Sequence, residues 1–340
     1  MSQKQLPEKQ LHIAWTVDDG PQKFTQSMAA NFPSKGLRER KAALRKTAME
    51  AREKAKKAAK IAQTKGATDQ QKADAQTKKV KAEKAFAELE AVLYRPATWY
   101  IVRDELTTNS LGIIRKLQDE GHEIAIHGLH ETKNHLSWLP SHKKPSYSSV
   151  NEALVDLKNF RDFLASKGIT VKFVRLPYGL LTEVVHNLEK LGLTQDTGKT
   201  ARKIISGQIS PQGETVASKV AKNFADLKTE IQQLGLHLWG GSKNGSISVQ
   251  SWEAESAGVN TGRTDTVPQQ QINAMERLSR GQGGRTSYSY VILCHDNSAS
   301  DVSEVQMDIK RMEQEAKKRH IEVIYHTMSS LYQQVTGKKP

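Results

Sequence analysis

Two adjacent aspartates, Asp18 and Asp19, sit where a strand-like run, Leu11-His12-Ile13-Ala14-Trp15, meets the breaker Gly20-Pro21. Like charges side by side repel, so the pair persists at low cost only beside a metal ion or a shared proton. Gly and Pro impose a tight turn, which brings both acids to the mouth of whatever sheet the strand joins. Taken alone, the same residues also read as an ordinary solvated turn.

Further chemistry-bearing residues fall at the ends of other strand-like runs. His127 ends one, with His130 and Glu131 close behind, and Arg175 ends another, before Leu176-Pro177-Tyr178-Gly179. Trp252, Glu253 and Glu255 follow a third, and His295-Asp296 ends the run 290–294. Acids, imidazoles and a guanidinium gathered at one pole are costly unless they form a site. One Asp with two neutral His is the ligand set of a catalytic divalent ion that keeps positions open for water and substrate. The second acid is then free to act as base on a water whose pKa such an ion lowers to about 7. A separate, protonated His can donate to the leaving group. This chemistry is metal-assisted hydrolysis of an amide or ester.

The elements that must position these residues alternate. Strand patterns fall at 11–17, 97–102, 123–127, 171–176, 236–239, 246–252, 288–294 and 322–326. Helix patterns lie between them, at 109–120, 149–167, 182–191, 215–234, 268–279 and 301–319. Such alternation predicts an α/β fold with a mainly parallel sheet, open or closed into a barrel. In barrels of this class the working residues sit at the C-terminal ends of strands.

One segment breaks the alternation. Residues 37–93 are rich in Ala, Lys and Glu and contain no Pro. Leu44, Ala48, Ala51, Ala55, Ala58 and Ala62 follow a spacing of four and three, as do Ala82, Phe86, Leu89 and Leu93. That spacing is a coiled-coil seam, and Gly66 with Thr68 or Asp69 marks a break between two helices. Two such helices fold back as an antiparallel hairpin. The expected organisation is a barrel formed by 1–36 and 96–340, with 37–95 as a helical insertion.

The chain has 340 residues and a net charge of +14. Residues 38–95 hold 17 Lys and Arg against 8 acids, so most of the excess is in the hairpin. A basic hairpin can hold an anionic polymer or a protein partner, and its charge can equally be a solvated helix face. No run of 18 apolar residues and no secretory h-region is present, so neither a membrane span nor a signal peptide is expected. The lone Cys294 rules out an intramolecular disulfide. Location is then read as cytoplasmic, or exported by a route that needs no signal. His12 and His237 read as structural, His122 and His326 have no evident partner, and the five Trp residues read first as core.

Thr16-Val17-Asp18-Asp19-Gly20-Pro21 resembles the first motif of the polysaccharide deacetylases, carbohydrate esterase family 4. Arg175-Leu176-Pro177-Tyr178-Gly179 is similar to their third motif and Leu293-Cys294-His295 to their fifth. The resemblance covers roughly 10–35 and 96–335. It implies a distorted (β/α)7-type barrel and hydrolysis of N-acetyl groups on GlcNAc-containing polymers, or of O-acetyl groups on xylan, with Zn²⁺ or another divalent cation. It implies Asp18 as general base, Asp19 and His127 as metal ligands, Arg175 orienting the base, and His295 as general acid. The backbone N–H of Tyr178 would stabilise the oxyanion. The second motif, His-Ser/Thr-x-x-His, is altered here: Gly128 follows His127, Glu131 stands four residues on, and His130 comes one earlier. The third ligand is read as His130, with Glu131 and His135 as alternatives. The fourth motif has its nearest match at Trp252–Glu255.

The resulting expectation is a deacetylase acting on an N-acetylated glycan, peptidoglycan or chitin-like, with no nucleic-acid partner. Alternatives are an amidohydrolase of small cyclic imides or ureides on the same fold, and a degenerate module that binds glycan without hydrolysing it.

Overall fold

The sheet is built on β1 (Lys9–Gly20), which has neighbours along both edges. In the computed structural model the described residues are 9–34, 36–64, 66–127, 150–175, 200, 203–204, 209–238, 267–281, 284, 286–296 and 298–340. The sequence-predicted strand 246–252 and helix 182–191 lie outside them. The other strands are β2 (Ala97–Ile101), β3 (Glu123–Ile126), β4 (Val171–Val174), β5 (His237–Leu238), β6 (Ser287–His295) and β7 (Ile321–His326). Their order is β5-β4-β3-β2-β1-β6, with β7 also on β1. All the pairings are parallel. One edge of β1 pairs with β6 from Gln10 to Asp18. The other edge is shared, with β7 along Lys9–Ala14 and β2 along Trp15–Gly20.

The helices are α1 (Thr25–Ala29), α2 (Arg38–Ala62), α3 (Asp69–Ala91), α4 (Thr108–Asp119), α5 (Val150–Ser166), α6 (Val216–Gln233), α7 (Val267–Ser279), α8 (Ala299–Lys318) and α9 (Met328–Thr336). The fold is α/β, a curled parallel sheet with helices of the distorted (β/α) barrel kind. The short α1 and α9 had no counterpart among the helices read from sequence.

Strand side chains alternate between faces, and here the two faces meet different partners. Leu11, Ile13, Trp15 and Val17 point to the helices and join the main core with Phe32, Trp99, Ile126, Phe160, Met275 and Met312. Ala14 points the other way and packs with Tyr100, Ala125, Phe173 and Val291 against Met328 and Leu331 of α9. The helix α9 thus plugs the concave side. Its first turn is held by polar bonds: Met328 N–H donates to Thr98 Oγ1 at 2.8 Å, and Ser329 N–H to Glu123 Oε2 at 2.9 Å. A half-buried carboxylate at a helix N-terminus is favourable because it meets free N–H groups and the positive end of the helix dipole. His12, Thr16 and Asp18 share Ala14's parity, so the inner face of β1 is polar at both ends and plugged between.

The hairpin α2–α3 joins β1 to β2. Ala48 on α2 meets Ala85, Phe86 and Leu89 on α3, and the small alanines let the helices approach closely. Thr68 starts α3 with a reciprocal capping box to Gln71. Near the sheet, Arg95 makes a two-pronged ion pair with Glu313 of α8, at 2.8 and 2.6 Å. This planar fork fixes geometry as well as charge.

Candidate active site

The C-terminal ends of β1, β3, β4 and β6 converge. Asp18 is the last inner-facing residue of β1 before the turn, and its register partner across β6 is His295. Asp18 is fully buried, so its charge needs a partner. Arg175, itself buried at the end of β4, supplies one: its Nη1 lies 2.6 Å from Asp18 Oδ2. The second oxygen, Asp18 Oδ1, is buried and has no hydrogen-bond donor among the described residues.

Asp19 follows in the left-handed conformation, φ 66°. Asp tolerates this region better than most residues with a Cβ, and strained backbone of this kind gathers at working sites. The turn aims the Asp19 carboxylate at two imidazoles. His127 Nε2 is 3.1 Å from Asp19 Oδ1 and 3.6 Å from Asp18 Oδ2. His295 Nε2 is 3.6 Å from Asp19 Oδ2, and the imidazole is partly exposed.

The ends of β3 and β4 lock His127. Its N–H donates to Ile101 O at 2.8 Å, and Arg175 N–H donates to Ile126 O at 2.8 Å. Its Nδ1 lies 3.0 Å from Arg175 O, a pure acceptor, so Nδ1 carries the proton. In the neutral ring Nε2 is then a lone pair facing the lone pairs of Asp19. That arrangement is repulsive unless a cation or a proton lies between them. The two aspartates accordingly raise the His127 pKa against the opposing effect of burial.

A divalent ion with bonds of about 2.0–2.2 Å spaces its ligands roughly 3–3.5 Å apart. The 3.1 Å between Asp19 Oδ1 and His127 Nε2 fits two ligands of one ion. Among the described residues no set of three His, Cys, Asp or Glu side chains stands ready to hold a metal. The third ligand read from sequence, His130, and its alternatives Glu131 and His135 lie outside the described residues. So do Tyr178, Trp252, Glu253 and Glu255.

The chain resembles two solved structures. One is the Xyl-CE4 domain of a multidomain xylanase from the hindgut metagenome of Trinervitermes trinervoides: 14% identity, TM-score 0.41, covering 98% of this chain and 93% of that one. The other is a family 4 acetyl xylan esterase from Clostridium thermocellum in complex with a cobalt ion: 14% identity, TM-score 0.38, covering 95% and 91%. No protein-family model and no curated protein matches the chain.

Two further residues support the site and were not singled out from sequence for any role there. Asp296 is fully buried beneath the turn. It accepts from the Thr25 hydroxyl and from the Gln22 N–H, while Gln22 N–H also reaches Thr25 Oγ1 at 2.7 Å. Burial pushes the Asp296 pKa up to about 6 despite these donors. The aspartate therefore clamps the backbone just after Asp19. Tyr100 lies under the site with its ring edge-on to His127, centroids 6.4 Å apart. Burial and the Asp18 charge push its pKa up, so the phenol stays neutral. The signal for Asp296 was its place directly after His295; for Tyr100 it was only its alternation parity on β2.

Proposed function

We propose that this chain is a divalent-metal-dependent hydrolase that removes N-acetyl groups from a GlcNAc-containing polysaccharide, peptidoglycan or chitin-like. The observation that carries the reading is the 3.1 Å approach of Asp19 Oδ1 to Nε2 of His127, the ring nitrogen left over once Nδ1–H is committed to Arg175 O. The spacing is that of two ligands of one divalent ion. Asp19 and His127 are the residues that would hold it, with His130 as the third ligand. The ion, when bound, would supply Lewis acidity and an acidified water.

The chain's own residues provide the rest. Arg175 binds Asp18 through Oδ2 and fixes its orientation. Oδ1, which has no donor of its own among the described residues, is the oxygen left to take a proton from the attacking water. His295 enters from β6, partly exposed, where a leaving amine can be reached from solvent. Its role is to hand that amine a proton. The backbone N–H of Tyr178 is assigned to the oxyanion.

The partner of the hairpin is read as an anionic polymer, on the strength of its net charge. Deleting 38–93 then lowers activity on polymer and leaves small-oligomer activity in place.

The test is acetate release from N-acetylated chitooligosaccharide, peptidoglycan and acetylated xylan, before and after chelation. Activity that ignores chelation and survives both Asp18→Asn and Asp19→Asn removes the proposal. Release from xylan alone moves the substrate to O-acetyl esters. Glycan binding with no acetate released from any substrate favours the binding module.

A further inference from the structure

The inner face of β1 has a second polar end. His12 lies six residues before Asp18, roughly 20 Å away at about 3.3 Å per residue. The plug of Ala14, Met328 and Leu331 separates the two ends. At the His12 end a cavity of about 590 Å³ opens between α2 and the end of β7.

Its lining is strongly one-signed. Arg38, Lys41, Arg45 and Lys46 come from α2, and Glu322 is the one carboxylate among the described lining residues. Arg45 answers Glu322, with Nε 3.2 Å from Oε1. Lys41 Nζ is held by Val92 O at 2.7 Å. Arg38 and Lys46 stand exposed at the rim.

The floor is ordered. His326 Nδ1 is 3.0 Å from Ser330 Oγ, and His326 Nε2 is 3.0 Å from His12 Nδ1. Both ring nitrogens are thus engaged, which fixes the imidazole against the cavity. Burial, together with the charge of Arg45, keeps this pair neutral, at about 3 for His326 and about 4 for His12. Met49, Tyr94 and Ile324 add an apolar wall.

We propose that this pocket binds the dianionic phosphate of a small phosphorylated molecule. Arg38 and Lys46 supply the counter-charge beside the Arg45–Glu322 ion pair, and His326 with Ser330 forms the polar floor. A tetrahedral dianion accepts from several donors at once, which suits a guanidinium and an ammonium side by side better than a single carboxylate does. The volume falls in the usual small-ligand range of about 300–1,000 Å³ and exceeds what phosphate alone fills, so the apolar wall takes the organic remainder. The pocket shares no described lining residue with the site at Asp18, Asp19, His127, Arg175 and His295.

The test titrates the full chain, in chelator and at constant ionic strength, with inorganic phosphate and with phenyl phosphate. The readout is the ¹H–¹⁵N imidazole resonances. The expected result is saturable shifts at His326 and His12, none at His127 or His295, and tighter binding of phenyl phosphate than of phosphate. Arg38→Ala with Lys46→Ala, both at exposed positions, lowers affinity at least tenfold and leaves the melting temperature without ligand unchanged. Ser330→Ala provides a second variant with the cations intact and also weakens binding. Shifts confined to His127 and His295, equal affinity in the double variant, or phenyl phosphate no tighter than phosphate would overturn the proposal.

Discussion

His127 donates its Nδ1–H to the backbone carbonyl of Arg175, 3.0 Å away, while the Arg175 side chain holds Asp18. One residue at the end of β4 therefore sets the tautomer of the imidazole with its carbonyl and the orientation of a carboxylate with its guanidinium. The pairing of roles follows from adjacent parallel strands ending at one level. It makes the ligand and the base of the proposed reaction mechanically dependent on each other.

Arg175→Met leaves the Asp18 carboxylate buried and unpaired. Breaking a buried pair from one side costs about 3–5 kcal/mol. Urea denaturation should show a loss of that order, and acetate release should fall at least 100-fold in metal-loaded protein. A variant within about 1 kcal/mol of the parent would show that Asp18 does not depend on this partner.

Metal should stabilise the parent chain and not His127→Ala. A ligand present at 100 times its Kd raises folding stability by about 2.7 kcal/mol. Thermal melts with and without added Zn²⁺, alongside elemental analysis, check this. An equal Zn²⁺-induced rise in both proteins would exclude His127 from the ligand set.

Stability should fall on acidification because His122, like His12 and His326, is held neutral by burial. Its Nδ1 accepts from Ala97 N–H at 3.2 Å, so protonation sets two donors face to face. Burial lowers its pKa to about 4. The unfolded state, titrating near 6.5, binds the proton first, so stability is full above that pH and is lost progressively as pH falls toward 4. The contribution is about 3 kcal/mol. His122→Asn, whose Oδ1 can accept the same bond, should reduce the slope of stability between pH 6.5 and 4 by the His122 share, leaving that of His12 and His326. An unchanged slope would place the proton uptake elsewhere.

Thr25→Val removes the hydroxyl that bonds Asp296 and receives Gln22 N–H. Leaving a buried carboxylate short of a donor costs about 1–3 kcal/mol. The same change loosens the turn after Asp19, so kcat should drop while KM for small oligomer holds. A KM change with kcat intact would place Thr25 in substrate binding instead.

Much of the fold was legible along the chain. Runs 97–102, 123–127 and 322–326 are strands within a residue or so at each end, because a short apolar run bounded by polar or turn residues is a local property. The seam of Ala48, Ala55 and Ala58 likewise marked the buried stripe of α2. β1 runs on past residue 17 to Gly20, since a register shift beside β2 carries the strand through Asp18 and Asp19. α9 has only nine residues, too short for its period to stand out, and its Met328 and Leu331 became core by clustering with residues of five strands.

Sequence alone determined residue type and strand end: Asp18 and Asp19 lie in the last three residues of β1, His295 closes β6, His127 and Arg175 follow β3 and β4, and parallel strands all point their C-termini to one pole. It could not determine separations, the tautomer of His127, or that Asp296 lies under the Gly20 turn. Nor could it show that His326, which had no local partner in the pattern, meets His12 and Ser330 at the opposite end. Those facts depend on which strands become neighbours and at what register, and long-range pairing is decided by packing of the whole chain rather than by any stretch of it.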